Sequence, residues 1–117
     1  MTASYNGTAF TPTVLTSAYL GGQTVVTAND GTRNLLINGN SITAIGAYSA
    51  AQGNPNSLLV QWLDGANTYS TGYGGTGTVT FSVLQLGRVA GSFNVVAKTV
   101  NGSASMSLVG LFDIKYP

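Results

Sequence analysis

Seven side chains carry all the formal charge in this chain: Asp30, Asp64 and Asp113 against Arg33, Arg88, Lys98 and Lys115. Histidine, cysteine and glutamate are absent. General acid–base chemistry needs two titratable groups held close together, or an imidazole poised near neutrality. Asp30 and Asp64 each precede a glycine, in Asp30-Gly31 and Asp64-Gly65, where aspartate serves the backbone of a turn. Asp113 stands between Phe112 and Ile114, which puts it on the outward face of an alternating strand. A serine nucleophile would need a base beside it, and no residue here sits in a triad-like or nucleophile-elbow motif. The expectation is a protein that is not an enzyme.

Metal and phosphate chemistry find equally little support. Zinc is held by Cys and His, and the chain has neither. Calcium takes carboxylate, amide and carbonyl oxygens, and Asn29-Asp30-Gly31 and Asn38-Gly39-Asn40 are the two places that suggest it. A turn role explains both more simply, so no cofactor is expected. The run Gly72-Tyr73-Gly74-Gly75-Thr76-Gly77 resembles a phosphate-cradling loop but lacks the lysine and a following helix. It reads as a hairpin tip or a bulge.

Aromatic side chains offer a different chemistry. Trp62, Tyr69, Tyr73, Tyr48 and Tyr5 could stack on sugar rings, since each presents flat apolar area with one polar edge. The candidate ligand-binding residues are Trp62, Tyr69 and Tyr73, with Asn67 as a hydrogen-bonding partner. Strand alternation also allows Trp62 and Tyr69 to be core. Tyr73, set among glycines, is the one expected at the surface.

These side chains must be positioned by strands. Hydrophobic residues make up 44% of the 117, enough for one domain, residues 1–117, with a real core. Charged residues are 6%, where about 25% is ordinary. A net charge of +1 favours association and suits an exterior or assembled protein. Four scattered cations leave no footprint for nucleic acid. No apolar window is long enough for a transmembrane helix. Met1-Thr2-Ala3-Ser4 has neither a basic nor an apolar leader region, which fits either a cytosolic protein or a secreted or envelope one whose leader lies outside these residues.

Asp30-Gly31, Asn38-Gly39, Asp64-Gly65 and Asn101-Gly102 are pairs that tolerate positive φ in hairpin loops. Centring a hairpin on Asn101-Gly102 pairs Ala97 with Met106, Val95 with Leu108, Phe93 with Gly110 and Gly91 with Phe112. Every second pair is then apolar, or an aromatic ring over a glycine, as a correct register requires. The same construction sets Val60 opposite Tyr69, Trp62 opposite Asn67, and Val26 opposite Leu35. Strands are expected over 4–10, 13–20, 23–28, 32–37, 41–48, 57–63, 66–73, 76–86, 89–100 and 103–116, with one helical turn possible at Ser49–Gln52. About ten short strands joined by tight hairpins predict an all-β antiparallel sandwich or barrel-like meander.

Ile45-Gly-Ala-Tyr48, Asp64-Gly-Ala-Asn-Thr-Tyr69, Gly77-Thr-Val-Thr-Phe81, Val89-Ala-Gly91-Ser-Phe93, Gly110-Leu-Phe112-Asp-Ile-Lys-Tyr116 and Tyr5-Asn-Gly7-Thr-Ala-Phe10 follow one another along the chain. In this layout the chain resembles an uncharacterised family of small all-β domains found in secreted and envelope lipoproteins of Gram-negative bacteria. The resemblance implies an all-β fold and an exterior location, and it carries no site residues. The expected function is that of a non-enzymatic structural or adhesive β-domain that self-associates. Open strand edges at Ser4–Phe10 or Ser103–Tyr116 would pair copies into a homo-oligomer, because Lys and Pro, the usual edge guards, are scarce. The alternative is a small carbohydrate-binding module whose glycan partner is held by the exposed aromatics. The Thr-rich run Thr76–Thr80 is too short to support an ice-binding face.

Overall fold

The computed structural model describes residues 1–116. Eleven strands form one antiparallel sheet: β1 Thr2–Tyr5, β2 Thr8–Phe10, β3 Val14–Leu20, β4 Gln23–Asn29, β5 Arg33–Gly39, β6 Gly46–Ser49, β7 Leu59–Asp64, β8 Asn67–Ser70, β9 Thr76–Gln85, β10 Arg88–Lys98 and β11 Ser105–Lys115. The all-β hairpin meander expected from the turn spacing is what the chain adopts. Its hydrogen-bonded order runs β2-β1-β11-β10-β8-β7-β5-β4-β3, and β9 also pairs with β10 and carries β6 on its other side.

The sheet forks at β10. Residues 88–96 of that strand pair with β9, while Lys98 alone reaches Ser70 of β8. A single bridge is a soft joint, and the β8-to-β3 half curls there to lay its apolar face on the other half. The core is shared accordingly. Val26, Leu35, Ile37, Val60 and Trp62 come from one half, and Val79, Phe81, Phe93, Leu108 and Phe112 from the other. The far strand β3 is tied across by side chains: the Tyr116 hydroxyl accepts from the Tyr19 backbone N–H at 2.8 Å and approaches the Gln85 carbonyl at 3.3 Å.

The β10–β11 register matches expectation pair for pair, from Gly91 opposite Phe112 to Lys98 opposite Ser105. A Cβ on Gly110 would lie 2.7 Å from Phe93 Cζ, so the glycine is what lets that ring lie flat across its neighbour. The loop itself is longer than two residues, because Thr99 N–H donates to the Ala104 carbonyl and Gly102 N–H to the Thr99 carbonyl.

Several local expectations are corrected. Asn6 and Gly7, at φ 47° and 82°, split the expected 4–10 strand into the β1–β2 hairpin, which makes eleven strands where about ten were expected. Asn38-Gly39 is not a turn. It continues β5, and a side chain at Gly39 would strike Ile42 Cδ1 at 2.5 Å and Leu58 Cδ1 at 2.9 Å. The 41–48 strand shrinks to Gly46–Ser49, because Ile42 leaves the ladder to fill the core. In the two Asp-Gly hairpins the glycine opens the loop and the aspartate precedes it. Trp62 therefore faces Tyr69, Val26 faces Ile37, and Ala28 faces Leu35. The 66–73 strand ends at Ser70, and Thr71–Tyr73 form one 3-10 turn closed by Gly74 in the left-handed region. The glycine-rich run is thus a helical turn followed by the start of β9, not a hairpin tip. No helix forms at Ser49–Gln52. The Asn54 side chain pins the loop that follows it, donating to the Ala51 and Leu58 carbonyls and accepting from Asn56 and Leu58 N–H.

Candidate functional site: a tyrosine-lined cleft

Any acid–base site in this chain would have to use its three carboxylates. Asp30 Oδ1 accepts from the backbone N–H groups of Thr32 (2.9 Å) and Arg33 (2.6 Å). These two bonds, Arg33 first, hold its carboxyl below the usual value of 3.8. The Arg33 guanidinium lies 3.5 Å from Asp30 and 3.4 Å from Asp64. Asp113 is gripped by Arg88 through two bonds of 2.9 and 2.8 Å, which hold its carboxyl below the usual value. Each carboxylate thus faces an arginine, and no two are set as an acid and a base across a cavity. Asn29 Oδ1 accepts from Gly31 N–H, as a turn requires. Among the described residues no group of three or more His, Cys, Asp or Glu side chains could hold a metal ion.

The aromatics divide into two sets. Trp62 is 1% exposed, with the Tyr5 ring 4.8 Å away on one side and the Phe10 ring edge-on at 4.9 Å. Arg33 caps the outer face of Tyr5 at 4.9 Å. This layered stack clamps β5 and β7 to β1 and β2, and it leaves no indole face for a ligand. Tyr48 packs edge-on against Phe81 and donates its hydroxyl to the Ala44 carbonyl. Trp62, Tyr5 and Tyr48 therefore belong to the packing of the fold.

Asn67, Tyr69 and Tyr73 do come together. They line one side of an open cleft of about 490 Å³, Asn67 and Tyr69 from β8 and Tyr73 from the 3-10 turn. Ser70 caps that turn by accepting from Gly72 N–H at 3.0 Å. Tyr73 is 39% exposed and Tyr69 half-buried. The opposite wall is the β10–β11 hairpin tip, with Thr99, Val100, Asn101 and Ser103. Asn101 Oδ1 accepts from Thr99 Oγ1 (2.8 Å), Ser103 N–H (3.0 Å) and Ser103 Oγ (2.7 Å). Sequence reasoning assigned that segment only a turn role. Its polar residues Thr99, Asn101 and Ser103 were the available signal, but their place beside Tyr73 depends on the β8–β10 joint.

A second surface feature lies on the outer face of β1, β11, β10 and β9, a depression of about 530 Å³ lined by Thr2, Ser4, Thr78, Thr80, Val109 and Leu111. The registers place its side chains in two cross-strand rows, Thr2–Leu111–Ser92–Thr80 and Ser4–Val109–Asn94–Thr78. Neither row contains a charge. Leu111 is 63% exposed and Val109 42%.

The strand edges differ from expectation. β11 is interior, flanked by β1 and β10, so Ser103–Tyr116 offers no edge for pairing. At the N-terminus the free edge is β2, three residues long, because β1 lies between β2 and β11. No helix among the described residues is long and apolar enough to cross a membrane. The chain matches no family model, no curated protein and no solved structure.

Proposed function

We propose that this is a non-enzymatic structural or adhesive β-domain of a secreted or cell-envelope location, and that it associates with copies of itself. The observation that carries the reading is the charge-free centre of the outer face, two cross-strand rows with Leu111 and Val109 exposed, flanked on β11 by Asp113 and Lys115. Apolar side chains standing clear of an interior strand contribute nothing to the fold's own core. Interface centres are depleted of charge and enriched in such groups. Two copies meeting through this charge-free centre keep the Arg88–Asp113 pair at the rim, and a net charge of +1 opposes their approach only weakly. The face is a better contact than the edges, since β2 and β6 are short and the Tyr19 N–H on β3 is already taken by Tyr116.

Light scattering across a concentration series tests this, with wild type beside Leu111→Asp. Growth of the wild type into a defined oligomer, abolished in the variant, is the expected result. A monomer at every concentration overturns the reading.

A second reading, a small carbohydrate-binding module, is favoured by one observation. The cleft gathers two tyrosine rings and a ring of amides and hydroxyls in one concave place.

A further inference from the structure

We infer that the cleft between β8, the 3-10 turn and the β10–β11 hairpin is a site for neutral saccharides, and that the amide of Asn101 is its specificity-determining donor. This rests on the carbohydrate-binding reading above and adds to it the ligand class and the second wall.

The lining contains no charged side chain. An anionic sugar entering it would lose hydration with no counter-ion to replace it. A neutral pyranose has no such loss. Its C–H face suits the exposed ring of Tyr73, with the half-buried Tyr69 that packs on the core forming the floor beside it, and its hydroxyls suit short neutral donors and acceptors. Asn67, Thr68, Thr99, Asn101 and Ser103 supply those from both walls.

Asn101 is organised in advance. The Ser103 backbone N–H can only donate, so the Asn101 atom facing it is the oxygen, and three donors hold that oxygen in place. The amide nitrogen is left with both hydrogens, on a side chain that cannot rotate without breaking those bonds. A donor fixed before binding loses little rotamer freedom when it engages a sugar hydroxyl. The polar wall therefore discriminates by a preformed donor, and the tyrosine wall supplies sequence-tolerant contact area.

The test uses the whole chain, labelled with ¹⁵N, titrated with cello-, chito-, manno- and xylo-tetrasaccharides and with tetragalacturonate as the anionic control. At least one neutral sugar is expected to shift the amides of Asn67, Tyr69, Tyr73 and Asn101, with tetragalacturonate silent. Tyr73→Ala removes an exposed ring, and Asn101→Asp keeps the three accepted bonds while deleting the amide hydrogens. Each is expected to weaken binding about tenfold or more, with the β10–β11 ladder amides unshifted in the free variants. Shifts from no sugar at all overturn the carbohydrate reading and this site with it. Shifts elsewhere, or binding unaffected by both variants, overturn the site and leave carbohydrate binding standing. Preference for tetragalacturonate overturns the neutral class.

Discussion

Gly110 is where a single methyl group measures how closely β1, β10 and β11 fit. A Cβ there would sit 2.7 Å from Phe93 Cζ, 2.8 Å from Ala3 Cβ and 2.8 Å from the Thr2 carbonyl oxygen. Carbon contacts are optimal near 3.5–4.0 Å, so the Phe93 ring must retreat by roughly 1 Å. It is 2% exposed and stacked on Phe112 at 6.3 Å, and the Thr2 oxygen belongs to a paired backbone. Alanine is otherwise preferred to glycine in a strand by about 0.5–1 kcal/mol, while overpacking a full core costs about 1–3 kcal/mol. Gly110→Ala is therefore expected to destabilise by about 1–2 kcal/mol, or roughly 4–8 °C in Tm for a domain of this size. Urea unfolding followed by the fluorescence of Trp62, the only tryptophan and a fully buried one, reads this directly. The control is the same change in a Phe93→Leu background, where the offending Cζ is gone. The cost there should fall by about 1 kcal/mol, a coupling of ordinary size for touching residues. A neutral or stabilising Gly110→Ala, or an equal cost in both backgrounds, would refute the ring-over-glycine account.

Two further outcomes are expected. Asn54→Ala removes four hydrogen bonds that shape the 51–58 loop and should lower stability by about 2–4 kcal/mol in the same urea assay. Stability should be level from pH 5 to 7, since the chain has no histidine. It should decline below the usual carboxylate value of 3.8, because Asp113 and Asp30 are held lower in the folded state. A depressed carboxyl contributes above its unfolded value and loses that contribution as pH falls through the folded one. Thermal melts between pH 2 and 7 check this, and Arg88→Gln should flatten the acid limb.

The sequence by itself determined which side chains face inward. Alternation in β10 and β11 assigned Phe93, Val95 and Leu108 to the core, where they lie. In β9 it assigned Val79, Phe81 and Val83, but a bulge opposite Ala90 and Gly91 shifts the face, so Val83 is only half-buried and Leu84 packs on the core instead. Complementary glycine–aromatic pairs then selected one register for β10 and β11, because a slip of one residue reverses every face. A slip of two preserves the faces, and that is the error made at Asp30-Gly31 and Asp64-Gly65. Alternation says nothing about it, while the Asp30 bonds to Thr32 and Arg33 N–H place the aspartate ahead of the loop. Asn-Gly pairs were equally ambiguous: Asn6-Gly7 turns the chain and Asn38-Gly39 does not, because Ile42 and Leu58 occupy the space over Gly39.

The candidate cleft was half legible. Asn67, Tyr69 and Tyr73 lie within seven residues of one another, so local structure alone brings them together. Trp62 was misplaced among them because a two-period strand cannot say whether its inner face is covered. Tyr5 and Phe10, more than fifty residues earlier, cover it. The hairpin wall with Asn101 joins the tyrosines through the Lys98–Ser70 bridge and the Val96–Thr76 pair, contacts between residues 28 and 20 apart. Long-range strand order of that kind is decided by which apolar faces bury each other best, a property of the whole sheet that no short stretch of sequence contains.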